Sequence, residues 1–156
     1  ALDDRPGFGA ISSRIGLAAD AHRFDTETDI AGHVLREHAE DPLACVLIDE
    51  AQFLTPAQVW QLADLVDRHD LPVVCYGLRT DFQGDLFPGS SALLGIADEF
   101  SELKGVCHCG RKATMNQRVD DHGQPVIEGA QTVIGGNERY VAVCRRHFVT
   151  AHRIPT

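Results

Sequence analysis

Four residues toward the end of this chain have the types and spacing of metal ligands. Cys107 and Cys109 flank one residue in Val106-Cys107-His108-Cys109-Gly110, and Cys144 and His147 share one turn of chain in Cys144-Arg145-Arg146-His147. Three thiolates and one imidazole suit a closed, tetrahedral Zn²⁺ site, which leaves no open position for a substrate and so argues for scaffolding over metal catalysis. The C-x-x-H half is ordinary zinc spacing, whereas C-x-C is tighter than the usual C-x₂-C. The competing reading is four unrelated residues. His108 is a rival ligand, ranked below Cys109 because an adjacent Cys-His pair rarely binds one ion together.

A second constellation is Asp49-Glu50, directly after the apolar run Cys45-Val46-Leu47-Ile48. Four apolar residues ending in two carboxylates is the Walker B arrangement. A buried strand delivers its terminal acids to the carboxyl edge of a sheet, where open α/β folds bind ligands. There Asp49 can hold Mg²⁺ and Glu50 can take a proton from an attacking hydroxyl. The competing reading is a solvated strand end. A Walker A partner needs glycines and a lysine followed by Ser or Thr. The two lysines, Lys104 and Lys112, have neither the following residue nor the Gly-rich turn.

The elements that must position these residues are legible in outline. Ile30, Val34 and Leu35 form one face of a helix over Asp29–His38, stopped by Pro42. Cys45–Ile48 reads as a parallel strand buried on both faces. Thr55-Pro56 is an N-cap with proline at the first helical position, and Val59, Leu62, Ala63 and Val66 follow at helical spacing. Residues Pro72–Leu78 read as a second buried strand, which completes a βαβ unit with a right-handed crossover. A short helix is expected over Ala92–Ala97. The first 24 residues show no sustained period and are expected to be loop. After Leu103 the pattern changes to short β-prone pieces, Ala113–Val119, Gln131–Ile134 and Arg139–Cys144, with a long loop over 120–136. Long loops in compact proteins are usually functional or disordered.

Composition narrows the class. The chain has 156 residues, a formal net charge of −9 and five cysteines. That length suits one domain with a small appendage. The acidic balance argues against a nucleic-acid polymer as partner, because such proteins carry a basic face. Cys45 and Cys75 lie in apolar runs and read as small core residues in a reducing cytosol, not as a disulfide framework. No stretch reads as a membrane span or a signal segment. His22, His33, His38, His69, His122 and His152 show no ligand spacing and read as solvated.

Three ordered segments, together with the Cys/His quartet, match a known family. They are Val46-Leu47-Ile48-Asp49-Glu50-Ala51-Gln52-Phe53, Cys75-Tyr76-Gly77-Leu78-Arg79-Thr80-Asp81-Phe82-Gln83-Gly84, and Ile134-Gly135-Gly136-Asn137-Glu138-Arg139-Tyr140. Together they closely resemble the zinc-containing thymidine kinases of the cytosolic and bacterial type, in the bacterial form. The resemblance runs from Asp3-Asp4-Arg5 to about His147. It implies an α/β fold with a P-loop-kinase-like parallel sheet, truncated at its N-terminus, and a small zinc-pinned β-ribbon lobe. Residues 1–104 would form the nucleotide-kinase domain, and 105–156 the zinc lobe with its substrate-closing loop. Family members begin with a strand and a phosphate loop ahead of the D-x-R segment. This sequence starts beyond both, so the 156 residues alone are expected to have little or no activity.

The resemblance also implies roles. Glu50 would be the general base for the 5′-hydroxyl of deoxythymidine, and Asp49 the Mg²⁺-organising acid. Asp3, Asp4, Arg5, Ala51 and Gln52 would lie on the ATP side. Phe53, Leu78, Phe82 and Phe87 would wall the base, and Gln131, Thr132, Val133, Ile134, Gly135 and Tyr140 would close over thymine. Phe53, Phe82 and Phe87 read without the family as plain core residues. Zn²⁺, Mg²⁺ with ATP, a homotetramer and a cytoplasmic location follow from the same likeness. The alternatives are a degenerate zinc-stabilised nucleoside-binding domain, and a different P-loop phosphotransferase sharing this acceptor half.

Overall fold

The structure, a computed structural model, describes residues 9–12, 16, 18–103, 105–131 and 140–152. The chain divides into two compact units, residues 1–77 and 78–156.

The first unit opens with an antiparallel hairpin, β1 (Ala10–Ser12) against β2 (Ala18–Asp20). The sequence reading expected a loop here; three-residue strands are too short to show a period of two. Helix α1 (Ile30–Glu40) follows, capped by Asp29, whose carboxylate accepts the Gly32 N–H at 3.0 Å. Helix α2 (Pro56–His69) starts as expected, with Thr55 as N-cap and proline in the first turn. Thr55 and Gln58 form a reciprocal capping box, which satisfies two backbone donors at once. Gln58 also donates to the Asp25 and Thr28 carbonyls at 2.6 and 3.0 Å, and Gln61 accepts from the Ile30 and Ala31 N–H groups. The start of α1 and the loop before it are therefore held by side chains of α2.

The single parallel pair among the described residues is β3 (Val46–Ile48), which precedes α2, on β4 (Val73–Cys75), which follows it. Val46 and Ile48 face a core that includes Ile30, Val34, Leu54, Val59, Leu62, Leu65 and Leu71. Leu47 and Val74 pair on the other face and are 62% and 42% exposed. That corrects the expectation of strands buried on both sides: a continuous apolar run carries no period and cannot say how many faces are covered. Cys45 is likewise exposed, not core, and Cys75 is half-buried, where burial pushes its thiol up to about 11.

The second unit holds α3 (Pro88–Ile96), two antiparallel ribbons and a last helix. The start of α3 precedes the expected Ala92, because Pro88 takes the first helical position, where its missing N–H costs nothing. β5 (Gly105–Val106) pairs with β6 (Lys112–Ala113), and β7 (Met115–Arg118) pairs with β8 (Tyr140–Val143). Helix α4 (Arg145–His152) leaves β8 directly. Cys107, Ala113, Val143, Cys144 and Phe148 form the buried cluster of this ribbon lobe, with Met115 against it. The fold is thus a mixed α/β one with small sheets. Among the described residues no helix is long and apolar enough to cross a membrane.

Gln58→Ala removes the reciprocal half of the capping box and strands two carbonyls of the 25–28 loop. Its expected cost is about 1–3 kcal/mol in denaturant unfolding, with the far-UV spectrum of the folded state unchanged. A cost below a few tenths would show that the α2 side chains do not hold that loop.

Candidate functional site

The end of β3 is shaped by one unusual residue. Glu50 has φ 54° and ψ 37°, the left-handed region that non-glycine residues rarely occupy. Its N–H donates to Asp49 Oδ1 at 2.9 Å, a local bond that helps hold the turn. A short 3₁₀ turn, Ala51–Phe53, follows. The strand pairing continues beside it, with Tyr76 N–H donating to the Ile48 carbonyl and Ala51 N–H to the Tyr76 carbonyl, both at 2.8 Å. Gln52 is buried, and its Nε2 donates to Glu50 Oε2 at 2.5 Å. Gly77 makes this possible: a Cβ there would stand 2.5 Å from Gln52 Oε1. Backbone strain of roughly 1–3 kcal/mol is the usual cost of such a residue, and it persists only where neighbours hold it. Asp49 is exposed and Glu50 half-buried, so the pair is open to a ligand while one Glu50 oxygen is fixed.

In the second unit, the segment that ends at Gln131 is clasped by two charged residues. Arg118, buried at the end of β7, lies 3.8 Å over the Phe82 ring and donates to the Glu128 and Ala130 carbonyls at 2.7 and 3.0 Å. Gly129 sits between those carbonyls, where a Cβ would come within 2.6 Å of the guanidinium. Asp81, also buried, accepts from the Gln83 and Asp85 N–H groups through Oδ1 and from Gln131 Nε2 through Oδ2, at 2.9–3.0 Å. Residues 128–131 are thus tied to the 81–85 turn from both sides. Phe87, the N-cap of α3, is buried, Tyr140 is half-buried opposite Arg118, and Leu78 is exposed. Phe53 is half-buried in the first unit. Asp3, Asp4, Arg5, Thr132, Val133, Ile134 and Gly135 lie outside the described residues. Sequence reading gave Arg118 no role and singled out Asp81 only as part of a motif, since a buried charge is recognised by partners far along the chain.

Cys107, Cys109, Cys144 and His147 converge as their spacing anticipated, each with one ligand atom and all within 4.8 Å of one another. Cys109 Sγ lies 3.8 Å from Cys144 Sγ, and His147 Nδ1 lies 3.3 and 3.7 Å from the sulfurs of Cys107 and Cys144. A tetrahedron with ordinary Zn–S and Zn–N bonds has S–S edges of ~3.8 Å and S–N edges of ~3.6 Å. The donor set fits structural zinc in identity and in dimension. His108 stacks on His147 with ring centroids 4.2 Å apart, and so supports a ligand ring from beside the quartet.

The thiols differ in acidity. Cys107 is held down at about 5, first by the Cys109 N–H pointing at its sulfur, then by His147 and the Cys144 N–H, against burial. For Cys109 the Arg111 N–H favours the thiolate, but burial and the sulfurs of Cys107 and Cys144 outweigh it and raise the thiol.

Strand-end carboxylates beside a buried glutamine, on an α/β fold with a Cys₃His cluster that fits structural zinc, are features a phosphotransferase can use. Comparison with known proteins defines the family. The thymidine kinase family model matches residues 1–148. A thymidine kinase of Novosphingobium aromaticivorans is 68% identical over 151 residues, covering 97% of this chain and 79% of that protein. Those of Agrobacterium fabrum and Vibrio cholerae are 56% and 54% identical, over 96% and 97% of the chain and 77% and 79% of theirs. The chain belongs to the thymidine kinase family.

Two outcomes test these geometries. At pH 7 the Cys107 thiol is already ionised and yields no proton to incoming zinc; as pH falls through about 5 it takes a proton that zinc must displace. Zinc affinity should therefore fall one power of proton concentration more steeply below that pH than above it, in competition with a chromophoric chelator. An unchanged slope contradicts the ionised Cys107. Arg118→Lys cannot hold two carbonyls with one planar fork, and should destabilise the protein by about 1–3 kcal/mol and speed amide exchange over 128–131 first. Exchange there at the wild-type rate would mean the clasp is not what orders this segment.

Proposed function

We propose that this chain acts as an ATP-dependent thymidine kinase, moving the γ-phosphoryl group of ATP to the 5′-hydroxyl of deoxythymidine in pyrimidine salvage. The observation that carries the reading is the position of Glu50 at the carboxyl end of β3, beside Asp49, in a family whose curated members bear the name thymidine kinase. Glu50 is the general base: with Oε2 engaged by Gln52, the carboxylate is oriented to take the proton of the attacking hydroxyl. Asp49 is the residue that would organise Mg²⁺, which when bound neutralises charge on the phosphate oxygens. Asp3, Asp4, Arg5, Ala51 and Gln52 belong to the ATP side of the site.

Phe53, Leu78, Phe82 and Phe87 wall the thymine, and Gln131–Gly135 with Tyr140 close over it. The Asp81–Gln131 and Arg118 bonds support this assignment, because they hold the entry to that segment. In this reading β3, α2 and β4 are one βαβ unit of a P-loop-kinase-like parallel sheet, in a nucleotide-kinase domain over 1–104. Residues 105–156 are the zinc lobe that carries the closing loop. A cytoplasmic homotetramer completes the proposal.

Glu50→Gln keeps the size of the side chain and removes the base. In the protein that carries these 156 residues, kcat should fall by roughly 10²–10⁴-fold, while thymidine affinity stays within a few-fold. Activity within tenfold of wild type would remove Glu50 from the role. Thymidine binding with no turnover by the wild-type protein would select the binding-domain alternative.

A further inference from the structure

A second metal-ligand group lies in the first unit, apart from the Cys₃His cluster. His22, His33 and Glu37 each offer one ligand atom, and those atoms lie within 4.8 Å of one another. His33 and Glu37 are four residues apart on α1, so they project from the same face one above the other. His22 comes from the chain that leaves β2, and its ring meets His33 edge-on with centroids 4.3 Å apart. Nε2 of His33 is buried and has no hydrogen-bond partner. A buried imidazole nitrogen without a partner is costly, and coordination would satisfy it. His33 is thus half-buried, which corrects the expectation that it is solvated, whereas His22 is exposed as expected.

We propose that His22, His33 and Glu37 bind a divalent transition-metal ion of the zinc class, cross-linking the exit of the β1–β2 hairpin to α1. Two imidazoles and one carboxylate select zinc, cobalt, nickel or copper over magnesium and calcium, which prefer all-oxygen shells. Three protein ligands leave an open position for water. Ordinary Zn–N and Zn–O bonds give a tetrahedral edge of ~3.3 Å, and the three ligand atoms already lie within 4.8 Å of one another. His22 and Glu37 are exposed, so both can turn inward around the half-buried His33. The proposal is independent of the kinase reading, since it uses none of the residues placed at the nucleotide.

Cobalt refilling of the metal-free protein tests it, because the two sites give different spectra. Cobalt in the Cys₃His cluster shows thiolate-to-metal charge transfer in the near ultraviolet; a second equivalent on His22, His33 and Glu37 adds visible bands without it. The expected result is two equivalents bound by wild type. In both His22→Ala and Glu37→Gln the second should be lost or weakened at least tenfold, with the thiolate bands intact. Both positions are exposed, so neither change should threaten the fold. Saturation at one equivalent in wild type, or a second equivalent that survives both substitutions, overturns the proposal.

Discussion

Cys107 and Cys144 are at once metal ligands and two of the five residues that make the buried cluster of the ribbon lobe. A lobe with so small an apolar cluster gains little from burial against the conformational entropy of its own chain, and a metal closing the tetrahedron would supply what a larger core otherwise supplies. Everything beyond it hangs on that closure. The quartet fixes the turn after β5 to the start of α4, α4 follows β8, and β8 holds β7 in register. At the end of β7 stands Arg118, which in turn holds residues 128–130. An ion held by the quartet would thereby help set the position of residues 128–130.

The first unit solves a different problem with different means. There the difficulty is to present two acids at a strand end without letting them drift. Asp49 is tied to the backbone of Glu50, Glu50 to the buried amide of Gln52, and Gln52 packs against a glycine that leaves room for it. The left-handed conformation of Glu50 is affordable because the strand pairing extends past it through Tyr76. Rigidity at this strand end comes from short polar bonds around a small parallel pair.

How much of this could be read from the chain depended on how local each signal was. The ligand quartet was visible because two short spacings each carry half of a recognisable donor set. The Thr55-Pro56 start of α2 was visible because capping chemistry is confined to one turn. The covered face of β3 was not, since Val46, Leu47 and Ile48 are equally apolar and only Leu47 is left out of the core. Buried polar residues were the least legible. Arg118 answers to carbonyls ten and twelve residues away, and Asp81 to an amide fifty residues away. His38 looked solvated but accepts the Leu43 N–H at 3.0 Å. No periodicity announces such partners. The pairing of His33 with Glu37 was written in the sequence at helical spacing, and lacked only His22 to give it meaning.

The order in which the quartet assembles has a consequence for how the protein is made. Cys109 and Cys144 are 35 residues apart. At ordinary synthesis rates that separation is about 2–7 s, during which the first pair of thiols waits on the ribosome without its partners. Cys107 is not yet as acidic as in the folded protein, because His147 and the Cys144 N–H, two of the groups that lower its thiol, have still to be made. Both thiols nonetheless stand without the ligands that enclose them later, so the yield of folded protein under oxidative stress should depend on the speed of translation through this stretch as well as on the stability of the finished molecule.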